Sequence, residues 1–156
     1  MTEFSHLDSE GRARMVDVSA KTVTRRVARA SCRVLLAEST VSRLSHMPKG
    51  DAVVVARLAG IQAAKRVDEL VPLAHTLGLD HVNVEIEPVD GGVRVWSEVV
   101  CTARTGAEIE AMAACSNAAL ALYDMVKAVE KGAVITDLRL EAKSGGRSGD
   151  WKREVP

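Results

Sequence analysis

Residues 82–101 restrict the fold more than any other part of the sequence. The segments VNVEIE (82–87) and VRVWSEVVC (93–101) each alternate apolar and polar residues, and PVDGG connects them. This alternation around a Gly-rich connection predicts two antiparallel strands in a hairpin. One face of the hairpin is apolar, and a sheet with one solvated face suits antiparallel pairing. The polar face carries Asn83, Glu85, Glu87, Arg94 and Glu98.

The other periodic segments add helices and strands before and after this hairpin. We expect a strand over 26–36, one or two helical turns over 39–46, a helix over 51–71 ended by Pro72, a helix over 107–131 stopped by Gly132, and a strand over 134–142. The apolar residues at helical spacing in the first long helix are Leu58, Ile61, Val67, Leu70 and Val71. The order β-α-β-β-α-β predicts a ferredoxin-like α+β fold, with an antiparallel sheet and two long helices on one face.

The second long helix has an unusual distribution of charge. Between Ala111 and Val129 only Asp124 and Lys127 are charged, whereas a helix that faces solvent carries a broad charged face. We therefore expect its own sheet or another subunit to cover most of it. Residues seven positions apart differ by about 20° around the helix, so four of them in succession lie within about 60° of one another, and Lys127 lies about 60° to one side. That narrow polar stripe comprises Glu110, Asn117, Asp124 and Lys131.

Two interpretations of Asp124 and Lys127 stay open on these grounds. An i,i+3 ion pair on a helix contributes a few tenths of a kcal/mol and needs no function. Alternatively, partial desolvation lowers the pKa of Lys127 toward neutrality, while the carboxylate opposes that shift and fixes the lysine. Such a pair transfers protons as a general acid and base.

Further candidates for ligand contacts lie elsewhere in the chain. In AKSGGRSG (142–149) the backbone amides can converge on an anion beside Lys143 and Arg147, or the segment is a flexible tail. Lys49 precedes a helix whose N-terminal amides favour anions, or it belongs to a solvated turn. His75 is either a satisfied core residue or a ligand contact. Glu108 and Glu110 begin the second long helix, and the latter lies on the polar stripe.

Composition narrows the classes of function. The 21 Lys and Arg residues balance the 21 Asp and Glu residues, so no overall field attracts nucleic acid or an anionic membrane. The N-terminus lacks the apolar core of a signal peptide, and the longest apolar run contains polar residues, which argues against a membrane span. The cysteines at 32, 101 and 115 form no CxxC, and we expect buried thiols in a reduced, cytoplasmic protein.

The chain is expected to hold one domain. Residues 1–24 are polar without periodicity and are expected to be a mobile N-terminal segment. Residues 25–143 are expected to form the single folded domain, which carries the candidate catalytic residues. Residues 144–156 are a Gly-rich tail with the capacity to order on ligand binding.

Several motifs in collinear order carry a resemblance to a known family. They are RMVDVSAK (14–21), KGDAVVVARLAGIQAAKR (49–66), LVPLAH (70–75), TGAEIEAM (105–112), LYDMVKAVEK (122–131) and LEAKSGGRSGD (140–150). Together they closely resemble the MoaC family, the cyclic pyranopterin monophosphate synthases of molybdenum cofactor biosynthesis. The chain departs from the family at Ala74 and Thr76, where Cys-His-Pro is common around His75. The cysteine is therefore not expected to be required for the chemistry.

The resemblance implies an enzyme that converts 3′,8-cyclo-7,8-dihydro-GTP into cyclic pyranopterin monophosphate and pyrophosphate. It implies a ferredoxin-like fold, a homo-oligomer built as a trimer of dimers, and active sites at a subunit interface. No redox cofactor and no protein-bound metal are expected, and whether Mg²⁺ accompanies the triphosphate stays open. Asp124 and Lys127 match the catalytic pair. The substrate-binding positions are Lys49, Lys65, His75, Glu108, Glu110, Lys143 and Arg26. The alternative is a non-catalytic pterin- or nucleotide-binding paralogue with the same pocket.

Overall fold

Alternation of apolar and polar residues along the strands gives a five-stranded antiparallel sheet with the order β2-β3-β1-β4-β5. The computed structural model describes residues 7–8 and 10–154. The strands are β1 (Thr24–Leu35), β2 (Leu79–Val89), β3 (Gly92–Ala103), β4 (Val134–Ser144) and β5 (Trp151–Lys152). The helices are α1 (Glu38–Val41), α2 (Ala52–Ala64), α3 (Val67–Leu70) and α4 (Glu108–Val126), with a 3₁₀ turn at Leu44–His46.

The first four strands and the two long helices have the predicted ferredoxin-like arrangement. The hairpin of β2 and β3 pairs Val84 with Ser97 and Ile86 with Val95, as the alternation of apolar residues predicts. β1 lies between β3 and β4 and is antiparallel to both. The helices α2 and α4 cover one face of the sheet, and the buried core lies between these layers. The expected fold class is confirmed.

The two long helices end earlier than the sequence pattern predicts. The segment 51–71 divides at Lys65 and Arg66, where the helical backbone ends before the short α3 begins. α4 ends at Val126, and Lys127 is its C-terminal capping residue. Of the apolar residues that continue the pattern beyond these ends, Val67 is buried, but Leu70 and Val129 are exposed, so apolar residues at helical spacing do not locate the helix ends.

The buried face of α2 is built from small residues rather than from large aliphatic ones. Its buried residues are Ala52, Ala56, Gly60, Ala63 and Ala64. Leu58 is 62% exposed and Leu70 in α3 is 67% exposed, although both belong to the apolar residues at helical spacing. Apolar periodicity alone does not distinguish a face that packs closely through alanine from a face of exposed aliphatic residues.

Parts of both expected mobile ends, namely residues 1–6, 9, 155 and 156, lie outside the described residues. Within the described part, Ala142 and Lys143 of β4 pair with Lys152 and Trp151 of β5. None of the helices in this part of the chain is long and apolar enough to cross a membrane.

Gly60 determines how closely α2 approaches α4. A Cβ atom at Gly60 would lie 2.7 Å from the backbone oxygen of Ala114 and 3.1 Å from the Cβ of Ala118. We expect Gly60→Val to destabilise the fold by about 1–3 kcal/mol, because the two helices must separate. The expected result is a fall in Tm of about 2–12 °C for a chain of this size, measured by differential scanning calorimetry.

Gly132→Val is the matched control, because a Cβ atom at Gly132 meets no heavy atom within 4 Å. Equal melting temperatures for the two variants would contradict the close contact at Gly60.

Candidate functional site

Asp124 is the centre of a cluster of charged side chains at the C-terminal end of α4. Lys127 lies one turn further along, and its Nζ is 2.7 Å from Asp124 Oδ1. Lys49, in the turn before α2, donates to Asp124 Oδ2 at 2.7 Å and to the Asp124 backbone oxygen at 3.1 Å. The N-terminus of α2 is fixed nearby by Asp51, whose side chain accepts from the amides of Val53 and Val54. Folding thus brings a third charged residue to the predicted pair.

The two lysines determine the ionisation of this cluster. Hydrogen bonds from Lys127 and then Lys49 lower the pKa of Asp124 to about 2. The hydrogen bond to Asp124 raises the pKa of Lys127 above its usual range. The expected lowering of the Lys127 pKa is therefore absent in the single chain, because the side chain is 50% exposed and little desolvation opposes the ion pair. In the single chain Asp124 and Lys127 are therefore both charged at neutral pH.

A second group of candidates surrounds a cavity of about 410 Å³ near the N-terminal end of α4. His75, Glu108 and Glu110 line this cavity. His75 lies in the loop between α3 and β2, and its Nε2 is 2.7 Å from the backbone oxygen of Val16. Since a carbonyl oxygen only accepts, Nε2 carries the proton in this contact and donates it. The cavity therefore brings together three side chains that the sequence had singled out separately.

Glu110 has the strongest electrostatic perturbation in this cavity. Its side chain is buried, with 4% of the residue exposed. Desolvation raises its pKa from an ordinary value of 4.5 to about 7, and the negative charges of Glu108 and Asp68 act in the same direction. A carboxyl group with this pKa exchanges a proton near neutral pH, and it donates or accepts hydrogen bonds according to its ligand.

Lys143 and Arg26 connect this cavity to the Gly-rich loop after β4. Lys143 Nζ lies 3.1 Å from Glu108 Oε1. Arg26 in β1 donates from Nε to the backbone oxygen of Ala103 and from Nη2 to that of Arg104, both at 3.1 Å. Its guanidinium thus ties β1 to the loop between β3 and α4.

The glycines of the predicted anion-binding loop pack directly on β1. A Cβ atom at Gly145 would lie 2.2 Å from the Arg25 backbone oxygen, and one at Gly146 would lie 2.1 Å from Arg26 Nη1. Both glycines also have positive φ angles, 88° and 78°, which a side chain would strain. The motif therefore requires glycine for close packing as well as for conformation. Arg147 next to them is exposed.

The candidate residues form two clusters rather than one. Asp124 and Glu110 belong to the same helix and are separated by about 21 Å at 1.5 Å per residue. Asn117, between them on the polar stripe, donates to the backbone oxygen of Ala59 at 3.0 Å and so fastens α4 to α2. The polar stripe therefore serves packing at its centre and presents ionisable groups at its ends.

Lys65 belongs to neither cluster. It follows α2 and lines a separate surface depression with Leu58 and Arg66. Arg29 in β1 also belongs to neither cluster, because it pairs with Glu98 at 2.7 Å on the face of the sheet away from the helices and lies over Trp96. Among the described residues, no group of three or more His, Cys, Asp or Glu side chains is placed to hold a metal ion.

Two parts of the cavity were missed by sequence reasoning. The segment 16–21 covers it, with Val16, Val18 and Lys21 in its lining. The loop that carries His75 is held by Thr76, whose Oγ1 donates to Asp68 Oδ2 at 2.6 Å. This hydrogen bond, rather than the proline that the resemblance leads us to expect at position 76, restricts the loop. The motif around 14–21 was visible in the sequence, but no residue in it was assigned a role.

The fold and these clusters define a domain that binds or converts a small polar molecule, with cationic groups for anions and ionisable groups for proton transfer. The sequence matches the model of the MoaC family over residues 15–146. The chain belongs to the MoaC family.

Similar proteins cover nearly the whole chain. A protein of Streptomyces griseus is 53% identical over 98% of this chain and 88% of its own length. A protein of Streptomyces coelicolor is 54% identical over 96% of this chain and 89% of its own length. A protein of Chloroflexus aggregans is 52% identical, with coverage of 97% and 94%. All three are named cyclic pyranopterin monophosphate synthase.

The raised pKa of Glu110 predicts a pH-dependent stability. Between pH 4.5 and about 7 the folded state keeps a proton that the unfolded state has lost, so the free energy of unfolding falls as pH rises. Glu110→Gln removes this effect, and its Tm should rise relative to wild type across that window and stay higher above it. The difference in the free energy of unfolding is about 1.4 kcal/mol for each unit by which the folded and unfolded pKa values differ, which corresponds to a difference in Tm of several degrees. Thermal melts from pH 4 to 8 measure the difference.

Glu38→Gln is the control, because Glu38 is exposed in the first turn of α1. A Tm difference between Glu110→Gln and wild type that does not change with pH would show that Glu110 does not carry the proton.

Proposed function

We propose that this chain is a cyclic pyranopterin monophosphate synthase. It converts 3′,8-cyclo-7,8-dihydro-GTP into cyclic pyranopterin monophosphate and pyrophosphate, a lyase reaction in molybdenum cofactor biosynthesis. The observation that carries the proposal is identity of about half of the residues, over nearly the full chain, to proteins of that name. The cluster of Asp124, Lys127 and Lys49 supports it, because the reaction needs both proton transfer and neutralisation of phosphate charge.

The substrate's triphosphate requires local positive charge in a chain with no net charge. We assign phosphate contacts to Lys49 and Lys143, with Arg147 and the backbone amides of the loop after β4. Their task is to position the α-phosphate for attack by a ribose-derived hydroxyl group. That attack forms the cyclic phosphate ester, breaks the bond between the α- and β-phosphates, and releases pyrophosphate. Positive charge beside the leaving group stabilises the transition state. Arg26, which lies beside Gly146, contributes by fastening β1 to the loop between β3 and α4.

The rearrangement of the ring requires several proton transfers, which we assign chiefly to Lys127. Asp124 positions Lys127 and keeps its pKa high in the single chain. A second subunit or bound substrate over this exposed cluster would remove water, and desolvation lowers the pKa of an amine. The lysine would then titrate closer to neutral pH, where a general acid and base is most effective. His75, Glu108 and Glu110 bind the base and sugar side of the substrate.

A homo-oligomer with shared active sites explains why the clusters lie apart. A separation of about 21 Å along α4 exceeds the span over which a single small substrate contacts both groups, so one chain holds two incomplete halves. In a symmetric dimer the C-terminal end of one α4 would meet the N-terminal end of its partner's, and the halves would combine. The exposed Leu58 and Leu120, 62% and 58% accessible, give the helical layer an apolar surface for subunit contact. A trimer of such dimers, in the cytoplasm, is the assembly we propose.

The catalytic assignment makes a kinetic prediction. Lys127→Ala and Asp124→Ala should each reduce turnover at least about a hundredfold, because general acid–base catalysis contributes at least that much. Their melting temperatures should stay near that of wild type, since both side chains are half exposed. Pyrophosphate release from 3′,8-cyclo-7,8-dihydro-GTP measures turnover.

Arg94→Ala is the control, because Arg94 forms an ion pair of matching exposure with Glu87 at the β2–β3 hairpin. Full activity of Lys127→Ala would refute the catalytic assignment. A wild-type chain that binds the substrate but releases no pyrophosphate would instead support the non-catalytic paralogue.

Shared active sites make a second prediction. Lys127→Ala and His75→Ala damage opposite halves of the proposed site, and each alone should have low activity. Co-expression of the two variants under different affinity tags should restore about a quarter of wild-type activity in the mixed oligomer, because one combination of halves in four is intact. Mixed oligomers that show no more than the mean of the parents' activities would place each site within a single chain.

A further inference from the structure

Lys21 lies in the lining of the 410 Å³ cavity, opposite residues already assigned to the substrate. The segment 16–21 is held there by His75, which donates to the backbone oxygen of Val16 at 2.7 Å. Within the segment, the Lys21 amide donates to the Val18 backbone oxygen at 3.0 Å and closes a turn. Nothing in the proposed chemistry so far uses Lys21.

Some of the ionisable groups around the cavity have an ion-pair partner and others do not. Lys21 is the one Lys or Arg residue in the lining formed by described residues. Glu108 is already paired with Lys143. Within the described part of the chain, the Lys21 ammonium and the Glu110 carboxyl have no side-chain partner at hydrogen-bond or ion-pair distance. The cavity therefore offers a strong donor and a buried acid to a ligand.

A neutral polar ring fits this cavity better than phosphate does. Lys143, to which a phosphate contact is assigned, pairs with Glu108 but does not line the cavity. Among the described residues of the lining, the acid without a side-chain partner is Glu110, and its carboxyl group matches N–H donors better than phosphate oxygens. A guanine ring presents a carbonyl oxygen as acceptor beside N–H groups as donors. An ammonium matches the carbonyl oxygen, and a carboxylate matches the N–H groups.

We propose that Lys21 determines base specificity by donating a hydrogen bond to the ring carbonyl oxygen of the guanine-derived base, while Glu110 accepts from the adjacent N–H groups. This inference rests on the proposed function, which supplies a substrate with that base. Adenine has an amino group at the position of the carbonyl oxygen, so Lys21 would face a donor and the complex would lose a hydrogen bond. Lys21 therefore favours a base with a carbonyl oxygen over a base with an amino group at the same ring position.

The test compares nucleotides that differ only in the base. GTP and ATP have the same ribose and triphosphate, and isothermal titration calorimetry of the full chain gives the Kd of each. We expect wild type to bind GTP at least about tenfold more tightly than ATP, and Lys21→Met to lose about tenfold or more in GTP affinity with little change for ATP. Lys21→Arg, which keeps the donor and the charge, should retain most of the preference.

Arg14→Met is the matched control, because Arg14 belongs to the same exposed segment but does not line the cavity. It should bind both nucleotides as wild type does. With 3′,8-cyclo-7,8-dihydro-GTP as substrate, Lys21→Met should raise KM about tenfold, and Arg14→Met should leave it unchanged. Melting temperatures should be equal, since both side chains are exposed.

Three results would overturn the inference. An equal loss of GTP and ATP affinity in Lys21→Met would assign the lysine to phosphate. Unchanged GTP affinity together with unchanged KM would leave it without a ligand, and wild type without a preference for GTP would remove the specificity itself. The proposed function is judged separately by pyrophosphate release from wild type. If wild type releases pyrophosphate and Lys21→Met changes neither GTP affinity nor KM, only the inference is refuted. If GTP is preferred through Lys21 but wild type releases no pyrophosphate, only the proposed function is refuted.

Discussion

Close packing of α4 against the sheet and against α2 is the constraint on which the site depends. The inner face of α4 is formed largely by alanine, at 111, 114, 118 and 119, with Cys115 and Leu122. Small residues let the two long helices approach, and Gly60 marks the tightest contact. A helix held this firmly keeps its two ends at a fixed distance. The distance between the Asp124 cluster and the Glu110 cavity is therefore fixed by α4. The packing residues of α4 and α2, which are not among the candidate ligand contacts, determine how the candidate site is arranged.

Sequence reasoning predicted the features that depend on local periodicity. The alternation over 82–101 predicted the antiparallel hairpin with one apolar face, because strand periodicity is short and the apolar face must be buried. The scarcity of charge between Ala111 and Val129 predicted a helix that is largely covered, and Asp124 and Lys127 do contact each other. Pairs three or four positions apart on a helix meet whatever the rest of the fold does.

Features that depend on distant parts of the chain were not predictable from such patterns. The contact between Lys49 and Asp124 joins residues 75 positions apart. The raised pKa of Glu110 arises because the surrounding fold buries it, and no local spacing indicates that burial. At Lys127, by contrast, the side chain is half exposed, so desolvation does not lower its pKa in the single chain. The separation of the candidates into two groups likewise follows from helix length and direction, which a list of motifs does not contain.

The loop around His75 has threonine rather than proline at position 76, and this changes the kind of interaction that restricts the loop. A proline restricts the backbone in the folded and unfolded chain alike, and its effect is built into the covalent structure. The bond between Thr76 and Asp68 is a surface hydrogen bond, with a net contribution of about 0.5–1.5 kcal/mol, of the order of thermal energy. Such a bond opens and closes readily in water. The loop that carries the His75 imidazole is therefore held by a hydrogen bond that opens reversibly. Heat, denaturant or a ligand in the cavity can each change the fraction of time for which this bond is formed.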